Sequence, residues 1–114
     1  WQTCQAILLY SALPGSSRHH WGTDIDFYDA NALPKDYQLQ LIASEYDHHG
    51  PCAPLTQWLK LNAQQYGFYF PYRHYLGGIA CEPWHISYHK SAQQFQQQLT
   101  TEKLRMLLET SDIE

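Results

Sequence analysis

Long apolar runs are missing from this chain. No stretch approaches the roughly 18 consecutive apolar residues of a membrane helix, so no membrane span is expected in it. Basic runs are missing too: seven Lys and Arg stand against eleven Asp and Glu, a net charge of −4. Without a basic stripe, nucleic acid is not an expected partner. The three cysteines, Cys4, Cys52 and Cys81, have no Cys-x-x-Cys spacing, which argues against a thiolate metal site. An odd number leaves at least one free thiol, and spacing alone leaves a single disulfide open. Repeats and low-complexity linkers are also absent, so the 114 residues read as one domain.

Histidine and aromatic rings are plentiful, with seven His, nine Tyr and four Trp. Such rings suit a cleft whose walls carry polar tips, although most will simply be core or its rim. The chemistry is concentrated in two segments. The first is Ser17-Arg18-His19-His20-Trp21-Gly22-Thr23-Asp24-Ile25-Asp26, and the second is Glu82-Pro83-Trp84-His85. Together they supply what a catalytic zinc site needs: three protein ligands, an open position for water and a base to take the water's proton. His19, Asp26 and His85 are the candidate ligands and Glu82 the candidate base.

The spacing fits that choice. Gly22 permits a tight turn after His19. Thr23 to Tyr28 then alternates polar and apolar residues, the pattern of a half-buried strand. Asp24, Asp26 and Tyr28 fall on one face, with Ile25 and Phe27 expected to face the core. Trp84 to His89 alternates in the same way, placing His85, Ser87 and His89 on one face. If the two strands are neighbours, His85 comes close to Asp26. Pro83 interrupts the strand and leaves Glu82 on a loop. Two His and a carboxylate also describe non-haem iron oxygenases, but their His-x-Asp spacing is absent and they have no use for a Glu beside the last histidine. Hydrolysis is the better reading. Cys81 adjoins Glu82, yet no thiolate is needed where zinc activates the nucleophile. His48, His49, His74 and His89 are read as solvated or structural, and His20 as a group that could orient a ligand.

Elsewhere the spacing of Trp1, Cys4, Ile7, Leu8 and Ser11 or Ala12 predicts a helix, closed by Leu13-Pro14-Gly15-Ser16. Asp29 to Asp47 reads as a connection, with a turn at Asn31–Pro34 and a short strand at Tyr37–Leu41. Pro54 opens a helix whose buried stripe is Leu55, Trp58, Leu59 and Asn62 to Tyr66, ended by Gly67. Two helices follow the second motif, from Ser91 or Ala92 to Leu99 and from Thr101 to Glu109, and the end is expected to fray after Thr110.

The two motifs resemble those of the zinc D-Ala-D-Ala carboxypeptidases of the VanY/VanX type, a group that includes L-Ala-D-Glu endopeptidases. Their pattern is Ser-x-His-x-x-Gly-x-Ala-x-Asp followed by Glu-x-Trp-His. Ser17, His19, Gly22 and Asp26 match the first part, and Glu82, Trp84 and His85 the second. Asp24 departs from it, standing where the family has Ala; an added carboxylate there could bring negative charge to the site or orient His20. The resemblance implies an α+β fold of the Hedgehog/DD-peptidase kind, with a small antiparallel sheet carrying the metal site between helices. It implies Zn2+ held by His19, Asp26 and His85, Glu82 as general base, and Ser17 holding the substrate's terminal carboxylate. The implied substrate is a peptidoglycan stem peptide or a D-Ala-D-Ala dipeptide, and the implied location the periplasm or cell envelope.

The family's oxyanion-stabilising arginine has no counterpart at the matching place, leaving Arg18 and Arg73 as substitutes. Residues 1–114 are therefore expected to be a single zinc peptidase domain lacking N-terminal elements. Such a domain would self-associate or associate with a missing N-terminal segment. The competing expectation is a zinc-stabilised module that binds cell-wall peptide without turning it over.

Overall fold

A computed structural model describes residues 1–111, so the frayed end expected after Thr110 lies, from residue 112 on, outside the described residues. The fold is α+β. Helix α1 spans Gln2–Leu8, strand β1 Asp24–Asp26, helix α2 Ala53–Asn62 and strand β2 Phe68–Tyr69. Strand β3 spans His85–Tyr88, helix α3 His89–Gln98 and helix α4 Thr101–Thr110. Short 3-10 turns at Arg18–Trp21, Ala43–Glu45 and Ala63–Tyr66 complete the order. The sheet is antiparallel, with β3 between β1 and β2. Asp26 pairs with His85, Ile25 with Ile86 and Asp24 with Ser87. The two motif strands are thus neighbours, the condition under which His85 comes close to Asp26.

A small aromatic core underlies the sheet. Tyr46, Cys52 and Trp84 are buried together, with Phe27, Leu33 and Leu41 packed against them. The Tyr46 hydroxyl donates to the Phe27 carbonyl at 2.8 Å, which satisfies the polar end of a buried ring. Cys52 is buried and Cys4 and Cys81 are exposed; all three are free thiols.

Several local expectations change. Ile25 is not in the core but 52% exposed. The buried residue of β1 is Asp24, wrapped by side-chain donors so that it needs no water, while Phe27 packs against the core as expected. Tyr37–Leu41 is not a strand. Asp36 and Leu41 have positive φ, 65° and 54°, and the Glu45 carboxylate takes the backbone N–H groups of Gln40 and Ile42 at 2.9 and 3.0 Å. Those donors cannot also serve a sheet ladder. The hydroxyl of Tyr37 adds a third bond to Glu45 at 2.8 Å.

Gly50 makes this knot possible. A Cβ there would collide with the Ser44 and Glu45 carbonyls, past which the chain turns so that the Cys52 N–H reaches the Glu45 carbonyl at 2.9 Å.

Helix α2 ends at Asn62 and continues only as a 3-10 turn. Its inward positions are Ala53, Thr56 and Ala63 rather than Trp58. Trp58 is 49% exposed and stacks on Tyr66. Helix α3 begins at His89, immediately after β3, earlier than the expected start. Helices α1 and α4 form where the apolar spacing places them, but neither buries a residue completely.

Candidate metal centre

Gly22 closes the 3-10 turn Arg18–Trp21 with φ of +69°, a left-handed conformation that costs glycine nothing. That turn brings His19 back over the start of β1. Pairing of β1 with β3 sets Asp26 beside His85. Pro83 and Trp84 form a tight turn before β3, and the Glu82 carbonyl accepts from the His85 N–H at 3.3 Å. The Glu82 N–H in turn donates to the Tyr72 carbonyl at 3.1 Å, which fixes the loop that carries the carboxylate.

One potential ligand atom from each of His19, Asp26 and His85 lies within 4.8 Å of the other two. His19 Nε2 is 3.6 Å from Asp26 Oδ2, and His85 Nδ1 is 3.3 Å from Asp26 Oδ1. Glu82 Oε2 also lies 3.3 Å from His85 Nδ1. His85 is only 2% exposed, yet its Nδ1 makes no hydrogen bond. A buried polar atom without a partner is rare and costs about 1–3 kcal/mol. Here it faces a cavity edged by a second imidazole and two carboxylates. The donor set and its spacing fit a divalent zinc-type ion with two His and one carboxylate, with Glu82 left over.

The opposite nitrogens of both rings are held. His85 Nε2 lies 2.8 Å from Asp24 Oδ1, and His19 Nδ1 lies 3.2 Å from the Asp24 backbone carbonyl. Asp24, and not His20, contacts the far nitrogens of both candidate ligands, so the residue that stands in place of Ala meets His85 directly. His20 is exposed. The Asp24 carboxylate also accepts from Arg18 Nε at 2.8 Å, Thr23 Oγ1 at 2.7 Å and Ser87 Oγ at 2.8 Å.

Protonation follows these contacts. Burial pushes the Asp24 carboxyl up, but the bonds from His85, Thr23, Arg18 and Ser87 outweigh it and hold the group below the ordinary aspartate value. Burial raises Asp26, opposed by His19 and His85 and aided by Glu82. Burial lowers His85, but Glu82 and Asp24 overcome it and raise the imidazole above its usual value.

The cleft over this cluster has a volume of about 260 Å³. Ser17, Tyr10, Leu41, Tyr72 and Trp84 form part of its wall, and the edge of the Tyr72 ring meets His85 with centroids 4.9 Å apart. Ser17 lines the cleft, but its Oγ also caps the 3-10 turn, accepting from the His19 N–H at 3.3 Å. A larger cavity of about 410 Å³ beside β2 contains none of the candidate ligands.

Arg18 stands in the cleft wall with three of its five N–H donors engaged. Nε goes to Asp24, and Nη2 to the Tyr69 hydroxyl at 2.7 Å and to Ser87 Oγ at 3.0 Å. Arg73 lines two neighbouring cavities instead. His48, His49, His74 and His89 are exposed and stand outside the ligand group. The sequence reading missed Tyr72 at the site and the grip of Asp24 on His85. Asp24 carried a signal, since it shares a strand face with Asp26; Tyr72 carried none.

Comparison with known proteins finds a family profile, a relative and solved structures that this chain resembles. A family profile described as VanY, D-alanyl-D-alanine carboxypeptidase, matches residues 1–91. An uncharacterised protein of Haemophilus influenzae is 36% identical over 94 residues, covering 81% of this chain and 72% of its own. Among solved structures, the LdcB LD-carboxypeptidase, whose structure is described as revealing the molecular basis of peptidoglycan recognition, is similar with a TM-score of 0.50 and 27% identity. That likeness covers 89% of this chain but only 50% of LdcB.

Proposed function

This chain belongs to the VanY family, D-alanyl-D-alanine carboxypeptidases, and on that premise we propose that it is a zinc-dependent peptidase acting on D-amino-acid-containing cell-wall peptides. Removal of a terminal D-alanine is the reaction we assign to it, and the periplasm or cell envelope its place of action. The observation that carries the proposal is the buried, unpartnered Nδ1 of His85, turned toward Asp26 and Glu82 with His19 alongside. A stable fold leaves such an atom only where something else completes it.

His19, Asp26 and His85 would hold the ion. Zinc supplies Lewis acidity there, making water nucleophilic near neutral pH and polarising a carbonyl. The protein's own residues do the rest. Glu82, held by its loop 3.3 Å from His85, accepts the proton of the attacking water and passes it to the leaving amine. The cleft seats the peptide's end, with Ser17 toward its terminal carboxylate and the Tyr72 and Trp84 rings as walls.

A non-catalytic cell-wall-peptide binding module is the second reading, favoured by one observation: Arg18, which lines the cleft, has three of its five N–H donors committed to Asp24, Tyr69 and Ser87. Glu82 argues against it, because a binding site gains nothing from a base beside the ligands. A hydrolysis assay on D-Ala-ended and stem peptides, with and without zinc, separates the two. Zinc-dependent release of D-alanine supports the enzyme. Peptide binding without release across the panel supports the module.

A further inference from the structure

Asp24 is 4% exposed and lies on the far side of both candidate histidine ligands from the cavity. Its Oδ1 takes His85 Nε2 and Arg18 Nε, each at 2.8 Å. Its Oδ2 takes the hydroxyls of Thr23 and Ser87 at 2.7 and 2.8 Å. Four donors on two oxygens use the accepting capacity of a carboxylate. The group therefore has no lone pair to spare for an ion, and the imidazole of His85 stands between it and the cavity. Arg18 balances its charge without leaving the site, because the guanidinium also packs over the Trp21 ring at 4.5 Å. The backbone carbonyl of Asp24 meets His19 Nδ1 at 3.2 Å.

We propose that Asp24 is a positioning residue for the metal centre, its carboxylate fixing the ring and tautomer of His85 while its backbone carbonyl fixes those of His19. Each ring then presents its remaining nitrogen to Asp26 from one side of the cavity. The inference rests on the reading that His19, Asp26 and His85 hold the ion. A carboxylate or carbonyl behind a ligating histidine is the usual means of setting its orientation and basicity. What is particular here is that one residue serves both rings by different groups. Side-chain substitution therefore separates the two: it releases His85 and leaves His19 held.

Two variants read this out. Asp24→Ala removes the acceptor from His85 and leaves its Nε2 facing the Arg18 guanidinium. Asp24→Asn keeps an oxygen for those two donors and turns its NH2 toward the Thr23 and Ser87 hydroxyls, which can rotate to accept. Zinc affinity, measured by chelator competition, is expected to fall about 10–100-fold in Asp24→Ala and less in Asp24→Asn. Long-range proton–nitrogen spectra of the metal-free protein at mildly alkaline pH supply a readout that stability alone would not move. In wild type and Asp24→Asn, His85 is expected to carry its proton on Nε2 and His19 on Nδ1. In Asp24→Ala only the His85 pattern should change.

Equal zinc affinity in wild type and Asp24→Ala overturns the proposal, as does a wild-type His85 that carries its proton on Nδ1. The second result needs no variant to fold. A wild type that binds no zinc overturns the ligand reading itself, and this inference with it.

Discussion

Glu45 and Asp24 are both buried carboxylates, 2% and 4% exposed, and both have their oxygens filled by donors. They differ in where the donors come from. Glu45 is bonded by Tyr37, Gln40 and Ile42, all within eight residues of it. Asp24 is bonded by Thr23 and Arg18 nearby but also by His85 and Ser87, 61 and 63 residues away. The first arrangement closes a loop on itself. The second ties the 3-10 turn, β1 and β3 together and aims an imidazole. Buried charge in one region specifies a connection, and in the other it specifies a chemical site. Loss of Glu45 should therefore appear as stability, and loss of groups around Asp24 as metal binding and turnover.

The largest effect lies on the chemical side. Glu82→Gln keeps the shape of the carboxylate and removes the base, so turnover should fall by a factor of about 10² or more. Zinc content and melting temperature should stay near wild type. Undiminished turnover would remove Glu82 from the mechanism.

Glu45→Ala tests the other region. It leaves the N–H groups of Gln40 and Ile42 and the Tyr37 hydroxyl without their acceptor, which should cost about 2–3 kcal/mol in denaturant unfolding. Zinc affinity of the folded fraction should be unchanged. A variant that keeps its stability but loses zinc would erase the distinction between the two carboxylates.

Acid sharpens the contrast further. Burial raises the Glu45 carboxyl, but bonds from Gln40, Ile42 and Tyr37 outweigh it and hold its folded-state pKa below the ordinary glutamate value. A lowered carboxyl contributes stability above its unfolded pKa and loses it as pH falls through the folded one. Wild type should therefore lose stability as pH drops below about 4, and Glu45→Gln should lose less over the same range. Parallel unfolding curves for the two proteins would show that this carboxylate is not a source of acid sensitivity.

The smallest effect is expected where apolar groups are exposed. Met106 and Leu107 on α4 are 55% and 58% exposed, and serine at both should change stability by no more than about 0.5 kcal/mol per site. Light scattering on the same variant tests the self-association expected of such a surface. A mass that falls toward that of the monomer supports it, and a monomeric wild type contradicts it.

Much of the site was legible because its signals are short-range. The alternation around Asp26 and His85 put both on polar strand faces, Gly22 supplied the turn and Pro83 freed Glu82 for the loop. Strand pairing then did the rest. What alternation could not tell is which face is inside. A run with Ile25 and Phe27 on one side looks core-facing, and Phe27 does pack on the core, but Ile25 is exposed and Asp24 is buried because Arg18, Thr23, His85 and Ser87 satisfy it. The supposed strand at Tyr37–Leu41 failed for a related reason. Its alternation is real, but Glu45 claims the backbone donors at Gln40 and Ile42. Trp58 misled by size: the inward line of α2 is made of small residues, and the large ring lies outside.

Zinc stoichiometry of metal-reconstituted wild type against His19→Ala and His85→Ala, read by elemental analysis, tests the central assignment most directly. The account predicts about one equivalent in wild type, as for a three-ligand catalytic site, and loss of most of it in each variant. Zinc retained by both variants as tightly as by wild type would show that these histidines do not hold the ion.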